Sequence, residues 1–272
     1  MIRRLGMSTS LLWPAPLGEA LSRLSRGGFA LVEISPDHLQ RDVIDAGRAQ
    51  EIRTQAASFA VELCAVHSPF GGENDLGRPL PEQGDPLTER HRAVCHAARL
   101  LGVSLLITHP SDLERHRHAV EEVLAHSRLR LEALWQQCRA HGLTLAIEHM
   151  LPHLIGGEVA ELRWLCDRLP EEGFGICLDI GHASFHGDLP GTIHGLGRSI
   201  VYVHASDNHQ ETDEHALPGE GVIDWPAVLA ALDEIGYAGP ITVEPAPRQV
   251  APGPLLAMRH YLQLLLCGQE AG

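Results

Sequence analysis

Six short apolar runs end in a side chain able to bind a metal ion: CAVH at His67, LLITH at His109, LAIE at Glu148, ICLD at Asp179, VYVH at His204 and ITVE at Glu244. Each run has the Val/Ile/Leu-rich character of a buried strand. A carboxylate or imidazole at the end of such a strand is costly to bury alone. The same device on six strands implies that the ends converge, so that the polar groups satisfy one another or share a cation. A closed parallel barrel does this, because its strands all point one way and their carboxyl ends form a single rim.

The rest of the chain supplies the connections. The pattern predicts strands at Arg4–Ser8, Ala30–Ile34, Val61–His67, Val103–Thr108, Leu143–Glu148, Phe174–Asp179, Ile200–His204 and Ile241–Glu244. Between them it predicts helices over Leu17–Arg26, Ile44–Ser58, Thr88–Leu101, Leu113–Ala140 and Glu158–Leu169, a short one before the seventh strand, one beginning at Asp224, and Gly253–Leu266 at the end. Gly27, Gly28, Gly102 and Gly142 stand where helices stop. Asp224 is an N-cap, with Pro226 tolerated in the first turn. About eight strand–helix units with no linker or shift in composition give a (β/α)8 TIM barrel, a single domain over residues 1–272. A doubly wound open sheet is the rival, but it gathers ligands at one switch point and leaves six charged strand ends unexplained. Ser68–Leu87, rich in Gly, Pro, Asn and Asp, reads as a long loop on the functional rim, a candidate lid or contact surface for a homo-oligomer.

Aromatic residues are only 4% of the chain, so the core must be aliphatic, as barrel interiors are. The formal net charge of −14 repels phosphate backbones and argues against a nucleic-acid partner. No apolar stretch is long enough to span a bilayer, and MIRRLGMSTSLLW lacks the apolar core and cleavage site of a signal peptide. Six scattered cysteines without a C-x-x-C pair read as buried thiols in a reducing, cytoplasmic compartment.

The densest motif is Asp179-Ile180-Gly181-His182, in which Gly181 is read as permitting a tight turn that brings His182 back over the rim. Asp213 and His215 stand two apart, which in an extended segment places them on one face. Oxygen and nitrogen donors without thiolate suit Mn²⁺, Zn²⁺, Co²⁺ or Fe²⁺. Glu148, Asp179, His204 and Glu244 suffice for one ion, and His67, His109, His182, Asp213 and His215 add donors for two or three. Not all 18 histidines can be ligands: His116, His118, His126 and His141 fall on a helix or its end and read as surface residues. His67, His109 or Glu244 taken singly would read as a hydrogen-bonded core residue or an ion-pair partner, and only the group carries the signal. Glu33 reads as an arginine's partner, Cys177 as core, Gly219 and Gly221 as turn formers at a loop with even odds of touching ligand, and His186 as a rim residue.

On these residues the chain resembles the xylose-isomerase-like TIM-barrel superfamily, through IEH, LDIGH, VHASDN, DEH, PGEG and VEP between Glu148 and Glu244. That group joins sugar and sugar-phosphate isomerases and epimerases, inosose dehydratases and AP endonucleases of the endonuclease-four type. For the isomerase and epimerase branch, the resemblance implies one divalent ion held by Glu148, Asp179, His204 and Glu244. Glu148 and Glu244 would face the substrate from opposite sides, and His182 would bind a substrate oxygen. The ion would stabilise an enediolate while one carboxylate removes a proton and another returns it. For the endonuclease branch it implies three zinc ions: His67, His109 and Glu148 for one, Glu148, Asp179, His204 and Glu244 for the second, and His182, Asp213 and His215 for the third. Two departures matter. The early loops, including Ser68-Pro69-Phe70 with its candidate aromatic wedge, lack the clustered basic residues of a duplex binder. After His204, where ketohexose epimerases carry a sugar-contacting arginine, the chain reads Ser206-Asp207-Asn208-His209-Gln210. The expectation is a cytoplasmic, divalent-metal-dependent isomerase or epimerase of a sugar, inosose or sugar phosphate, with a zinc-cluster phosphodiesterase as the alternative.

Overall fold

The computed structural model describes residues 3–43, 45–167, 169, 172–248 and 252–267. Its strands are β1 (Leu5–Ser8), β2 (Leu31–Ile34), β3 (Glu62–His67), β4 (Leu105–Thr108), β5 (Thr144–Glu148), β6 (Phe174–Asp179), β7 (Ile200–Ala205) and β8 (Ile241–Val243). They pair in chain order, all parallel, and β1 closes on β8. This is the (β/α)8 TIM barrel the strand-end pattern called for, and its closure brings six distant stretches of chain to one rim.

Strand side chains alternate between two faces, so the residue two before each donor shares its face. Ala65, Ile107, Ala146, Cys177 and Tyr202 stand two before His67, His109, Glu148, Asp179 and His204. All five are buried in one small cluster with Leu31, Cys64 and Leu105, distinct from the large core between strands and helices. That cluster fills the lumen and forms the floor beneath the polar rim. Cys177 is core, as expected, but it lies on the same face as Asp179. Burial pushes its thiol well above the usual range.

The helices follow the sequence pattern with shifted ends. Asp45 caps the helix Ala46–Ser58 by accepting from Arg48 N–H; Ile44, where that helix was expected to begin, lies outside the described residues. Asp224 caps Trp225–Glu234 through Ala227 N–H. The helix expected from Leu113 runs only over Val120–Ala140. The preceding segment pairs with another loop instead: Glu114 forms an antiparallel bridge with Leu154, and Arg115 N–H donates to His153 O at 3.0 Å. His116 and His118 therefore lie on that turn, still exposed, and not on the helix. The last helix ends at Leu262 and continues as a wider turn over Gln263–Cys267.

The long segment after β3 holds a short 3-10 turn, Gly72–Asn74, and gives way to the helix Pro86–Leu101. It is firmly anchored. Buried Arg130 donates to Leu76 O at 2.7 Å, Pro79 O at 3.2 Å, Arg78 O and Asp85 Oδ2 at 2.7 Å. Buried Asp75 accepts from Gly77 N–H, Asp112 N–H and Ser111 Oγ–H at 2.7 to 2.9 Å. These bonds tie the loop after β3 to the loop after β4. All six cysteines are free thiols, and among the described residues no helix is long and apolar enough to cross a membrane.

Candidate metal centre

Glu148, at the end of β5, is the hub of the rim. Its Oε2 lies 2.7 Å from His67 Nε2 and 3.3 Å from His109 Nε2. Its Oε1 lies 3.4 Å from His204 Nδ1 and 3.9 Å from His182 Nδ1. Glu244 Oε2 reaches the same His204 Nδ1 at 3.0 Å. Asp213 Oδ2 stands 3.4 Å from His182 Nε2 and 3.3 Å from His215 Nε2. Three groups therefore have ligand atoms within 4.8 Å of one another: His67, His109 and Glu148; Glu148, Asp179, His204 and Glu244; Asp179, His182 and His215. All nine residues singled out from the sequence meet at this rim.

Each of the five imidazoles is fixed by its other ring nitrogen. His67 Nδ1 donates to Ser68 O at 2.8 Å, His182 Nδ1 to His149 O at 2.9 Å and His215 Nδ1 to Glu244 O at 2.8 Å. His109 Nδ1 faces Asp112 Oδ1 at 2.7 Å. These bonds leave the Nε2 of all four turned toward the carboxylates. His204 is reversed: its Nε2 bonds Glu33 Oε2 at 2.9 Å, so its Nδ1 is the free donor. Outer partners that fix the tautomer and direction of a histidine are what a metal site requires.

The electrostatics also fit a cation. Buried Glu148 and Asp179 and the partly exposed Glu244 crowd three carboxylates into one group. Asp179 Oδ2 is buried without a hydrogen-bond partner, and burial pushes the Asp179 carboxyl above the usual range. Protonated histidines compensate elsewhere. Burial opposes the charge on His109, but Asp112 and Glu148 outweigh it and raise the pKa to about 10. At His182, burial is likewise outweighed, by Asp179, Asp213 and Glu148, giving about 9. Burial would raise Glu244, yet His204 beside it holds the carboxyl down at about 2. Oxygen and nitrogen donors fixed around unpartnered buried charge suit a divalent transition ion, which would displace these protons.

Several details correct the sequence reading. Glu33 pairs with His204, not an arginine; it stands two after Leu31, which lies in the lumen cluster, and so shares that face. Gly181 sits inside the short helix Ile180–Ser184, and its need is space: a Cβ there would meet Ser206 Oγ at 2.1 Å. Asp213 and His215 converge through a left-handed residue, His215 at φ 44°, where an extended segment was expected. Gly221 lies against Asn208 O, where a Cβ would stand 2.3 Å away. The loop carrying Asp213 and His215 is built around Asp207, which accepts from Asn208, Gly219 and Ile223 N–H and from Trp225 Nε1–H at 2.8 to 3.2 Å. His186 bonds Gly157 O at 2.8 Å and packs near His149. His149 was not singled out; it is fully buried with both ring nitrogens unpartnered, and burial lowers its pKa to about 3. Asp112 was also missed, although H-x-x-D from His109 is readable in the chain.

Beside the carboxylates opens a cleft of about 390 Å³, lined among others by Ser10, Asp37, Gln40, Phe70, His215 and Glu244. Phe70 stacks on His109 with ring centroids 4.0 Å apart and meets His67 edge-on. A concave site of this size, with a few convergent polar groups, admits a small ligand.

The comparisons agree with this architecture. The chain is 26% identical over 245 residues to L-ribulose-5-phosphate 3-epimerase from Shigella boydii, covering 84% of this chain and 83% of the relative. It is 27% identical over 256 residues to an uncharacterized protein of Methanocaldococcus jannaschii, covering 89% and 83%. Among solved structures, a D-tagatose 3-epimerase-like protein superposes with a TM-score of 0.82 at 23% identity over 96% of both chains. D-psicose 3-epimerase from Clostridium cellulolyticum H10 gives 0.81 at 17% identity over 97% and 99%. At those identities the structural likeness speaks for the fold. The profile of the xylose isomerase-like TIM barrel family matches residues 21–264, and the chain belongs to that family.

Proposed function

We propose that this protein is a divalent-metal-dependent epimerase or isomerase acting on a polyhydroxy carbonyl compound. The observation that carries the reading is the single group of Glu148, Asp179, His204 and Glu244, opening on the cleft through Glu244. Similarity to an L-ribulose-5-phosphate 3-epimerase over most of both chains supports it. A divalent ion held by these four residues would act as a Lewis acid on a substrate carbonyl and its neighbouring hydroxyl. Glu244 is ionised at neutral pH and reachable from the cleft, so it suits removal of the proton next to the carbonyl. Glu148, beside the same His204 Nδ1, would relay a proton drawn from solvent to the opposite face, which inverts the carbon, while Glu244 gives up the abstracted proton to solvent. His182 Nε2, with its Nδ1 held by His149 O, would position a substrate oxygen. Free thiols throughout fit a cytoplasmic setting. The test is metal-loaded protein incubated with ketoses, inososes and their phosphates in deuterated water. Incorporation of deuterium next to the carbonyl is expected; no incorporation with any member of the panel refutes the reading.

A second reading has its own support. The flanking groups, His67/His109/Glu148 and His182/Asp213/His215, hold more donors than a one-ion reaction needs and would suit a three-zinc phosphodiesterase. The strongly negative chain weighs against a duplex substrate. Cleavage of bis(p-nitrophenyl) phosphate or an abasic oligonucleotide by zinc-loaded protein, with three ions bound per chain, would establish it over the first.

A further inference from the structure

Building on the proposed carbonyl chemistry, we infer that the cleft takes its substrate as the uncharged polyol, not as the phosphate ester. The walls of the cleft carry the argument. The lining includes the carboxylates of Asp37, Asp213, Glu214 and Glu244, with the amide of Gln40. Carboxylates only accept hydrogen bonds, so they are matched by hydroxyl donors. A phosphate dianion offers acceptors of its own and adds charge of the same sign. Other parts of the lining are apolar. Phe70 keeps 44% of its area exposed, and Pro245 and Pro247 line the same cleft. A sugar presents both complements at once: hydroxyls around its edge and C–H groups on its face.

The cations that a phosphate would need are committed elsewhere. The chain has no lysine at all. The arginines adjoining the cleft segments are Arg41, next to Gln40, and Arg248, next to Pro247. Arg41 donates to Asp42, Pro14 O and Ala15 O at 2.8 to 3.0 Å. Arg248 makes a two-pronged pair with Glu220 at 2.7 and 3.0 Å. Among the described residues, no basic side chain other than His215 lines this cleft. His215 itself is engaged with Asp213 and Glu244 O. Attraction for a phosphate would fall to the bound ion alone, whose open positions the carbonyl and hydroxyl would already occupy.

The test uses the metal-loaded full chain and pairs of probes: free ketopentoses and ketohexoses, each beside its terminal phosphate. Calorimetry reads binding, and deuterium incorporation reads turnover. Among pairs that bind, the free sugar is expected to bind at least about fivefold more tightly, since one like-charge contact near 4 Å in water already weakens binding by about that factor. Asp37→Arg, which replaces an acceptor by a cation, is expected to narrow that ratio. Equal or tighter binding of the phosphates, or binding of no member, overturns the inference. Phosphates both bound and exchanged preferentially would overturn it while leaving the proposed reaction standing. Free sugars bound preferentially but never exchanged would uphold it and sink the reaction.

Discussion

Replacing Glu33 by leucine should weaken metal binding while leaving the barrel folded. Glu33 Oε2 accepts from His204 Nε2 at 2.9 Å, and both side chains are fully buried. That bond places the ring proton on Nε2 and aims Nδ1 at the space between Glu148 and Glu244. Without the acceptor, the buried Nε2–H loses its only hydrogen-bond partner among the described residues. The ring then gains by rotating or changing tautomer, by about 1–3 kcal/mol. Removing the outer partner of a metal-bound histidine usually costs about 10- to 100-fold in affinity, or about 1.4–2.8 kcal/mol. Glu33→Leu should fall in that range. Glu33→Gln, which keeps an acceptor oxygen but loses the charge, should lie between it and the parent. Competition with a chromophoric chelator measures the affinity, and far-ultraviolet circular dichroism checks the fold. If Glu33→Leu is folded and holds manganese or zinc within threefold of the parent, the argument that Glu33 sets the donor atom of His204 is wrong.

Four further outcomes follow from the same geometry. Arg130→Met removes four donated hydrogen bonds from the segment over residues 76–85, and should cost about 3–5 kcal/mol in urea unfolding, with faster amide exchange confined first to that segment. Burial would raise the Asp85 carboxyl, but Arg130 outweighs it and holds the pKa below its usual value, so this stabilisation is present above about pH 4 and lost as pH falls further. The acid limb of the stability profile should therefore be shallower in Arg130→Met than in the parent. Asp207→Ala strands three backbone N–H groups and the Trp225 indole N–H, and should cost about 3–5 kcal/mol, with Asp207→Asn recovering part of it. Because Asp207 shapes the loop bearing Asp213 and His215, Asp207→Ala should also lose affinity for an ion at His182, read by chelator competition, with the Glu148 group less affected.

The six candidate donors at strand ends were legible because a strand end is a local property, whereas His182, Asp213 and His215 lie beyond strands and stood out only through LDIGH and DEH. CAVH and ICLD each state both where a strand stops and which face its last residue shares, while β7 runs one residue past VYVH to Ala205. Their outer partners were not legible. Alternation from Leu31 puts Glu33 on the lumen face, but that it meets His204 of β7 across the barrel is a tertiary contact no local pattern carries. Asp112 follows β4 in a turn, where no periodicity marks it. Asp213 and His215 were paired correctly for an incomplete reason, since their meeting depends on a left-handed backbone at His215. The helix expected from Leu113 failed because helical spacing continued into a segment whose backbone pairs instead with the loop at Leu154. The cleft belongs to loops after β1, β2, β3, β7 and β8, and its shape arises from tertiary contacts such as Phe70 on His109.

Three carboxylates and one imidazole, from β5, β6, β7 and the end of β8, are proposed to enclose one cation. Anomalous diffraction at the manganese or zinc edge, on crystals grown with that metal, tests it most directly. The account predicts a peak within coordination distance, about 2.0–2.3 Å, of Glu148, Asp179, His204 Nδ1 and Glu244 together. Anomalous peaks only at other places, with these four residues closed into ion pairs with one another, would contradict it.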